Sequence, residues 1–194
     1  MLTYQKSQKT VFRYMKSMKT LLAICLTALV FTSCKKEITE LPPATQTGAN
    51  TFGAKVNGAL WAPQGFGSLP ANDILEARMA GTDLTINARN FSSSPNETEF
   101  LLLVKNITGT GTYLLNTDVN HPSGESSYGY YVKRRLTPLN EWITSASYTG
   151  SVTITRIDTV ARIASGTFQF SALNMYNSPE PITVTEGRFD VTIQ

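Results

Sequence analysis

From about Thr51 to Gln194 the apolar and polar residues alternate with a period of two rather than 3.6. Leu84, Ile86 and Ala88 alternate with Asp83, Thr85 and Asn87, and Val152 and Ile154 with Thr153 and Thr155. Phe168, Phe170 and Ala172 alternate with Thr167, Gln169 and Ser171; Phe189, Val191 and Ile193 alternate with Arg188, Asp190 and Thr192. Each run predicts a strand with one buried and one wet face, because side chains on a strand point to opposite sides in turn. Phe100 to Val104 (FLLLV) is apolar on both faces and predicts a central strand covered on both sides. Asn57-Gly58, between Lys55-Val56 and Ala59-Leu60, predicts a two-residue hairpin that sets Ala54 opposite Trp61 and Val56 opposite Ala59.

Turn residues at Gly81, Thr108 to Gly111, Pro122 to Gly124 and Pro179 to Pro181 punctuate the pattern, and Gly109-Thr110-Gly111 reads as a hairpin turn. A chain of about 145 residues can bury roughly two thirds of its surface, so one domain suffices. The expectation is a single all-β domain over residues 51–194 with roughly eight to eleven short antiparallel strands. Its architecture is a β-sandwich or a flattened β-barrel, the sandwich being preferred.

The N-terminal part has a different pattern. Lys16 and Lys19 precede an apolar run of eleven residues, Leu21 to Phe31, which Thr32-Ser33-Cys34 closes. At about 1.5 Å per residue this run reaches ~16 Å, well short of the ~30 Å hydrocarbon core of a bilayer. The layout is that of a secretory signal over residues 15–33 ending in a lipoprotein box. Small residues let the extended chain enter a signal peptidase, and the Cys34 thiol accepts the lipid. Phe31 stands where such boxes usually carry Leu. Residues 1–14 fit no signal region and read as an extension upstream of the true start, at Met15 or Met18.

Residues 34–50 read as a lipidated flexible tether: Pro42-Pro43 favours polyproline II, and the remainder offers little to bury. Lys35-Lys36 after the lipid cysteine points to the outer membrane, in its periplasmic or its surface leaflet.

Removing the leader reverses the charge. The chain has 17 basic and 14 acidic residues, but Lys6, Lys9, Arg13, Lys16 and Lys19 precede Cys34 and every acidic residue follows it. Twelve basic residues remain against the 14 acidic, a net charge of −2, so the dense basic footprint that nucleic-acid binding requires is missing. Cys25 leaves with the leader and Cys34 is acylated, so the folded part has no disulfide and no thiolate metal site.

Three segments carry a family likeness: Asn50 to Pro63 (NTFGAKVNGALWAP), Ser151 to Ala172 (SVTITRIDTVARIASGTFQFSA) and Ile182 to Val191 (ITVTEGRFDV). With their Asn-Gly hairpin and Trp, Gly-Thr-Phe-x-Phe strand and closing Gly-Arg-Phe-Asp-Val strand, they resemble a domain of unknown function in small lipoproteins of Bacteroidota. The resemblance implies an all-β lipoprotein of the envelope and transfers no activity.

Chemical signals are few. His121 is the sole histidine, in the turn-like Asn120 to Gly124, and reads as part of a solvated loop. Its neighbouring serines belong to no nucleophile elbow, and triad geometry is assembled from distant elements. No metal-ligand spacing or phosphate loop is present, so the expectation is a non-enzymatic protein without cofactor or metal.

The strongest candidate surface is Tyr128, Tyr130 and Tyr131 beside Lys133, Arg134 and Arg135. Tyr128 and Tyr130 share one strand face with Val132, while Tyr131 and Lys133 share the other. With Trp142, the platform Tyr128, Tyr130, Arg134 and Arg135 would stack on and clamp a glycan; the competing reading has the rings in the core and the charges guarding an edge. Asp158-Thr159-Val160 matches an O-glycosylation pattern at Thr159. The function expected is a membrane-anchored binding or accessory module for a glycan or small ligand. The alternatives are a protein-partner module, such as an inhibitor or envelope assembly factor, and a divergent hydrolase.

Overall fold

The computed structural model describes residues 37–65, 74–92, 96–134, 140–176 and 180–194. The strands are β1 (Thr51–Val56), β2 (Ala59–Trp61), β3 (Leu75–Ala80), β4 (Asp83–Asn90), β5 (Thr98–Val104) and β6 (Gly111–Leu115), of which the alternation does not mark β3 and β6. They continue with β7 (Tyr128–Lys133), β8 (Glu141–Ile143), β9 (Gly150–Asp158), β10 (Ile163–Asn174) and β11 (Ile182–Thr192). The β1–β2 hairpin has the predicted register, with Ala54 opposite Trp61 and Val56 opposite Ala59. Asn57 and Gly58 have φ of 49° and 81°, the two positive angles a type I′ turn needs.

All pairings between the strands are antiparallel and join them in one sheet, ordered β2-β1-β11-β10-β8-β7-β5-β4-β3. β10 is long enough to serve both halves: Ile163 to Phe170 pair with β9, and Leu173 and Asn174 then pair with β8. β9 in turn carries β6. The sheet curls until its remote parts touch, through isolated parallel bridges from Gln64 to Asn90 and from Ala77 to Ile193. The all-β antiparallel expectation holds, and the architecture is one curled sheet forming a half-barrel rather than two separate sheets.

The concave side holds the main core, where Phe52, Phe100, Phe168, Phe170 and Phe189 pack with Trp61, Tyr131 and Trp142. A second, smaller cluster lies on the other side of β5, β7 and β8: Leu103, Tyr128, Tyr130, Val132 and Ile143, with Leu101, Val119 and Met175 against them. β5 feeds both, Phe100, Leu102 and Val104 on one side and Leu101 and Leu103 on the other. That accounts for its continuous apolar run.

Two expectations are corrected. Gly109 to Gly111 is not a hairpin turn, because β5 pairs with β4 and β7 whereas β6 pairs with β9. The connection carries the chain from one half of the sheet to the other. Nor is the segment before β1 free up to Asn50. Residues 41–50 form a strap along the outer face of β1, β10 and β11. Arg188 Nη1 donates to the Pro42 carbonyl at 3.4 Å, Arg156 Nη1 to that of Gln46 at 2.5 Å, and Thr192 Oγ1 to that of Gly48 at 3.2 Å. Gly53 permits this course, since a Cβ there would meet Pro42 Cδ at 2.7 Å.

Candidate functional site

The aromatic surface expected around β7 is closed. Tyr128, Tyr130 and Trp142 are only 2%, 5% and 6% exposed, which corrects the stacking platform. The two tyrosines do share a face with Val132, as alternation requires, but the β6–β7 connection folds back over it. His121 lies on Tyr130, ring centroids 3.8 Å apart and planes 14° from parallel, and its Nδ1 sits 3.1 Å from the Tyr128 hydroxyl. The Tyr130 hydroxyl donates to Glu141 Oε2 at 2.6 Å.

Burial is the main reason the Tyr130 phenol is held far above its ordinary pKa, and the hydrogen bond to Glu141 adds to it. Burial also pushes the His121 imidazole below its ordinary pKa, and the half-buried ring is stacked on Tyr130 rather than solvated in a loop. Trp142 belongs to the opposite side, with its centroid 6.0 Å from Tyr131 and Lys133 Nζ 5.7 Å from its ring. Its Nε1 donates to the Glu180 carbonyl at 2.9 Å. The structure therefore separates Trp142 from the tyrosines it was expected to join.

Arg134 is exposed and paired with Glu99 at 2.7 Å at the end of β7, a strand flanked by β5 and β8, so it guards no sheet edge and corrects that part of the competing reading. Arg135 and Cys34 lie outside the described residues. Thr159 is exposed at the tip of the β9–β10 hairpin. Asp158 Oδ1 accepts from the backbone N–H of Val160 at 3.1 Å and of Ala161 at 2.8 Å, which shapes the tip, and Val160 is 95% exposed there.

Sequence reasoning missed the arrangement that the strap creates. Asp190 falls on the wet face of β11 by alternation, yet it is 1% exposed. Its Oδ1 accepts from Gly48 N at 2.8 Å and Ser165 Oγ at 2.7 Å. Its Oδ2 accepts from Thr45 Oγ1 at 2.6 Å, Thr47 N at 2.9 Å, Thr47 Oγ1 at 3.3 Å and Ala49 N at 3.2 Å. Burial pushes this carboxyl up, but the hydrogen bonds from Thr45, Ser165, Thr47 and Gly48 outweigh it and hold the group well below the ordinary carboxylate value. The carboxylate is the latch of the strap. No local signal in the strand marks it, because all its donors but Ser165 come from the strap, at the far end of the chain.

Beside the latched strap runs an open groove of about 410 Å³. Ala44 of the strap lines it together with Ser151 and Thr153 of β9, Thr167 and Gln169 of β10, and Arg188 of β11. Glu186, where β11 bulges with a φ of 52°, adds a carboxylate that Lys55 pairs at 2.5 Å. Hydroxyls and an amide, each both donor and acceptor, thus face the groove beside a nearly balanced set of charges. Such a surface can hydrogen-bond a neutral polar ligand. Among the described residues no group of three or more His, Cys, Asp or Glu side chains could hold a metal ion. No helix among them is long and apolar enough to cross a membrane.

No curated protein and no solved structure matches the chain. One family model does, over residues 49–191, a stretch that contains all three segments carrying the likeness and also the part between them. The hairpin, the half-barrel and the latch residue Asp190 all lie within or at the border of that stretch, and the chain belongs to the family of the domain of unknown function DUF6252.

Proposed function

We propose that this chain is a non-enzymatic binding or accessory module of the bacterial cell envelope, and that its ligand surface is the groove beside the strap. The leader over residues 15–33 would be removed and Cys34 acylated, leaving a lipoprotein of Bacteroidota type on the outer membrane. One observation supports the choice of site above the rest: the groove is lined by hydroxyl, amide and guanidinium groups while the tyrosines are packed away.

Ser151, Thr167 and Gln169 offer donors and acceptors to a neutral polyhydroxylated ligand, and Arg188 adds a charged donor. A glycan fits this chemistry. With no exposed ring among the groove's described lining residues, affinity rests on hydrogen bonds that compete with water, and a Kd near 1 mM, about −4 kcal/mol, is expected. The exposed Thr159 at the hairpin tip is the proposed O-glycan acceptor of the chain itself.

The test is a glycan titration followed by amide chemical shifts. Resonances of β9 and β10 at Ser151, Thr167 and Gln169 should move, and Gln169→Ala with Thr167→Val should remove the response without changing the melting temperature. Shifts confined to another face, or no response to any oligosaccharide, would discard the groove. A protein-partner module is the second reading, favoured by the closed aromatic cluster together with the open edge of β6.

A further inference from the structure

β6 is the longest sheet edge without a partner among the described residues. It pairs with β9 from Gly111–Ile154 to Leu115–Gly150, without a bulge, and its other side is open. The other margins of the sheet are blunted: β2 has three residues, and β3 is bridged to Ile193. Exposed edges usually carry Pro, Lys or a bulge that stops another strand from adding. β6 has none of these.

We infer that β6 is a self-association edge, on which the β6 strand of a second copy of this chain adds antiparallel to continue the sheet across a two-fold axis. The argument for that occupant is self-complementarity. Residues 106–117 carry no charged side chain, and the neighbouring outer-face residues Ser151 and Thr153 are neutral, so two such edges meet without like-charge repulsion. The Thr112–Thr153 hydroxyl pair, 3.0 Å apart, marks the outer face of β6. Leu114 lies on that face, 59% exposed, while Leu115 is buried inward.

Pairing centred on Tyr113 sets Leu114 opposite Thr112 of the second copy on the outer face. On the inner face it sets Gly111 opposite Leu115, a small residue against a large one. The exposed leucine is then covered at both ends of the contact, as an isologous interface requires. An edge of five residues gives an interface below the ~1,200 Å² of standard stable complexes, so the association is weak and concentration-dependent.

The test uses the full chain in its membrane with Thr112→Cys and Leu114→Cys combined, since these residues face each other across the axis. Mild oxidation should raise the covalent dimer several-fold above the background of the parent chain. Thr112→Cys alone, facing Leu114, should stay near background. A double variant at background, or equal cross-linking from Gln169→Cys on the groove floor, overturns the inference. Leu114→Lys gives an independent reading on a residue too exposed to matter for folding. It should abolish concentration-dependent sedimentation of the detergent-solubilised chain, and unchanged association would also overturn the proposal.

Discussion

Asp190→Asn tests the latch most directly, because it keeps the shape and removes the charge. The asparagine must present an amide NH2 where one carboxylate oxygen stood. Its cheaper orientation puts Nδ2 at the Oδ1 position, where Ser165 Oγ can turn to accept but Gly48 N, 2.8 Å away, cannot. One half-buried backbone donor then loses its partner, which costs about 1–3 kcal/mol, toward the lower end because water can reach the strap. The bonds from Thr45, Thr47 and Ala49 survive without charge assistance, at roughly half their former strength. The expected loss is about 2–4 kcal/mol, limited above because the strap can detach and be solvated.

The pH dependence has a definite sign. A carboxyl held below its unfolded value contributes stability that is fully present above the unfolded pKa, near 4, and is lost as pH falls through the folded value. The stability gap between the parent chain and the Asp190→Asn variant should therefore be widest at neutral pH and narrow progressively below about pH 4. Urea denaturation at pH 7 and pH 3 measures the gap, and amide exchange locates it. Protection at Thr47, Gly48 and Ala49 should fall in the variant while the interior of β10 keeps its own. Equal stability at pH 7 within about 0.5 kcal/mol, or unchanged exchange in the strap, would refute the latch.

Other outcomes follow from the same packing. Phe168→Ala should cost about 3–5 kcal/mol in chemical denaturation, since the ring lies among Phe52, Phe100, Phe170 and Phe189 and leaves a cavity. Tyr130→Ala should lower the melting temperature markedly and not merely weaken a ligand, because it removes the surface under His121 and leaves Glu141 without its closest donor; a variant as stable as the parent would reopen the platform. Depressed by burial, the His121 pKa predicts stability that is full above about pH 6.5 and declines as pH falls through the folded value, a decline that His121→Phe should reduce. Cys34→Ala should leave an uncleaved precursor without label from radioactive palmitate, and normal labelling would end the lipid-anchor proposal.

The sequence by itself determined most of the strands, β3, β6 and β8 excepted, and which of their faces line the main core. Side-chain direction alternates strictly along a strand, so the positions of Leu84, Ile86, Phe168, Phe170 and Val191 mark the concave side without knowledge of any partner. It also determined the β1–β2 register, because Asn57 and Gly58 tolerate the positive φ that a two-residue turn demands. The sorting of Tyr128 and Tyr130 from Tyr131 followed from the same alternation.

Tertiary structure alone decided what covers the other face. Alternation says that a side chain points outward; it does not say whether solvent or another segment waits there. Asp190 and Tyr130 both point away from the main core, and both are buried because distant chain returns over them, residues 45–49 over one and His121 over the other. The partner choice of β6 was equally hidden. A strand's pairing depends on where its connection is led, and here the connection leads from β5 across to β9, leaving one neutral edge open.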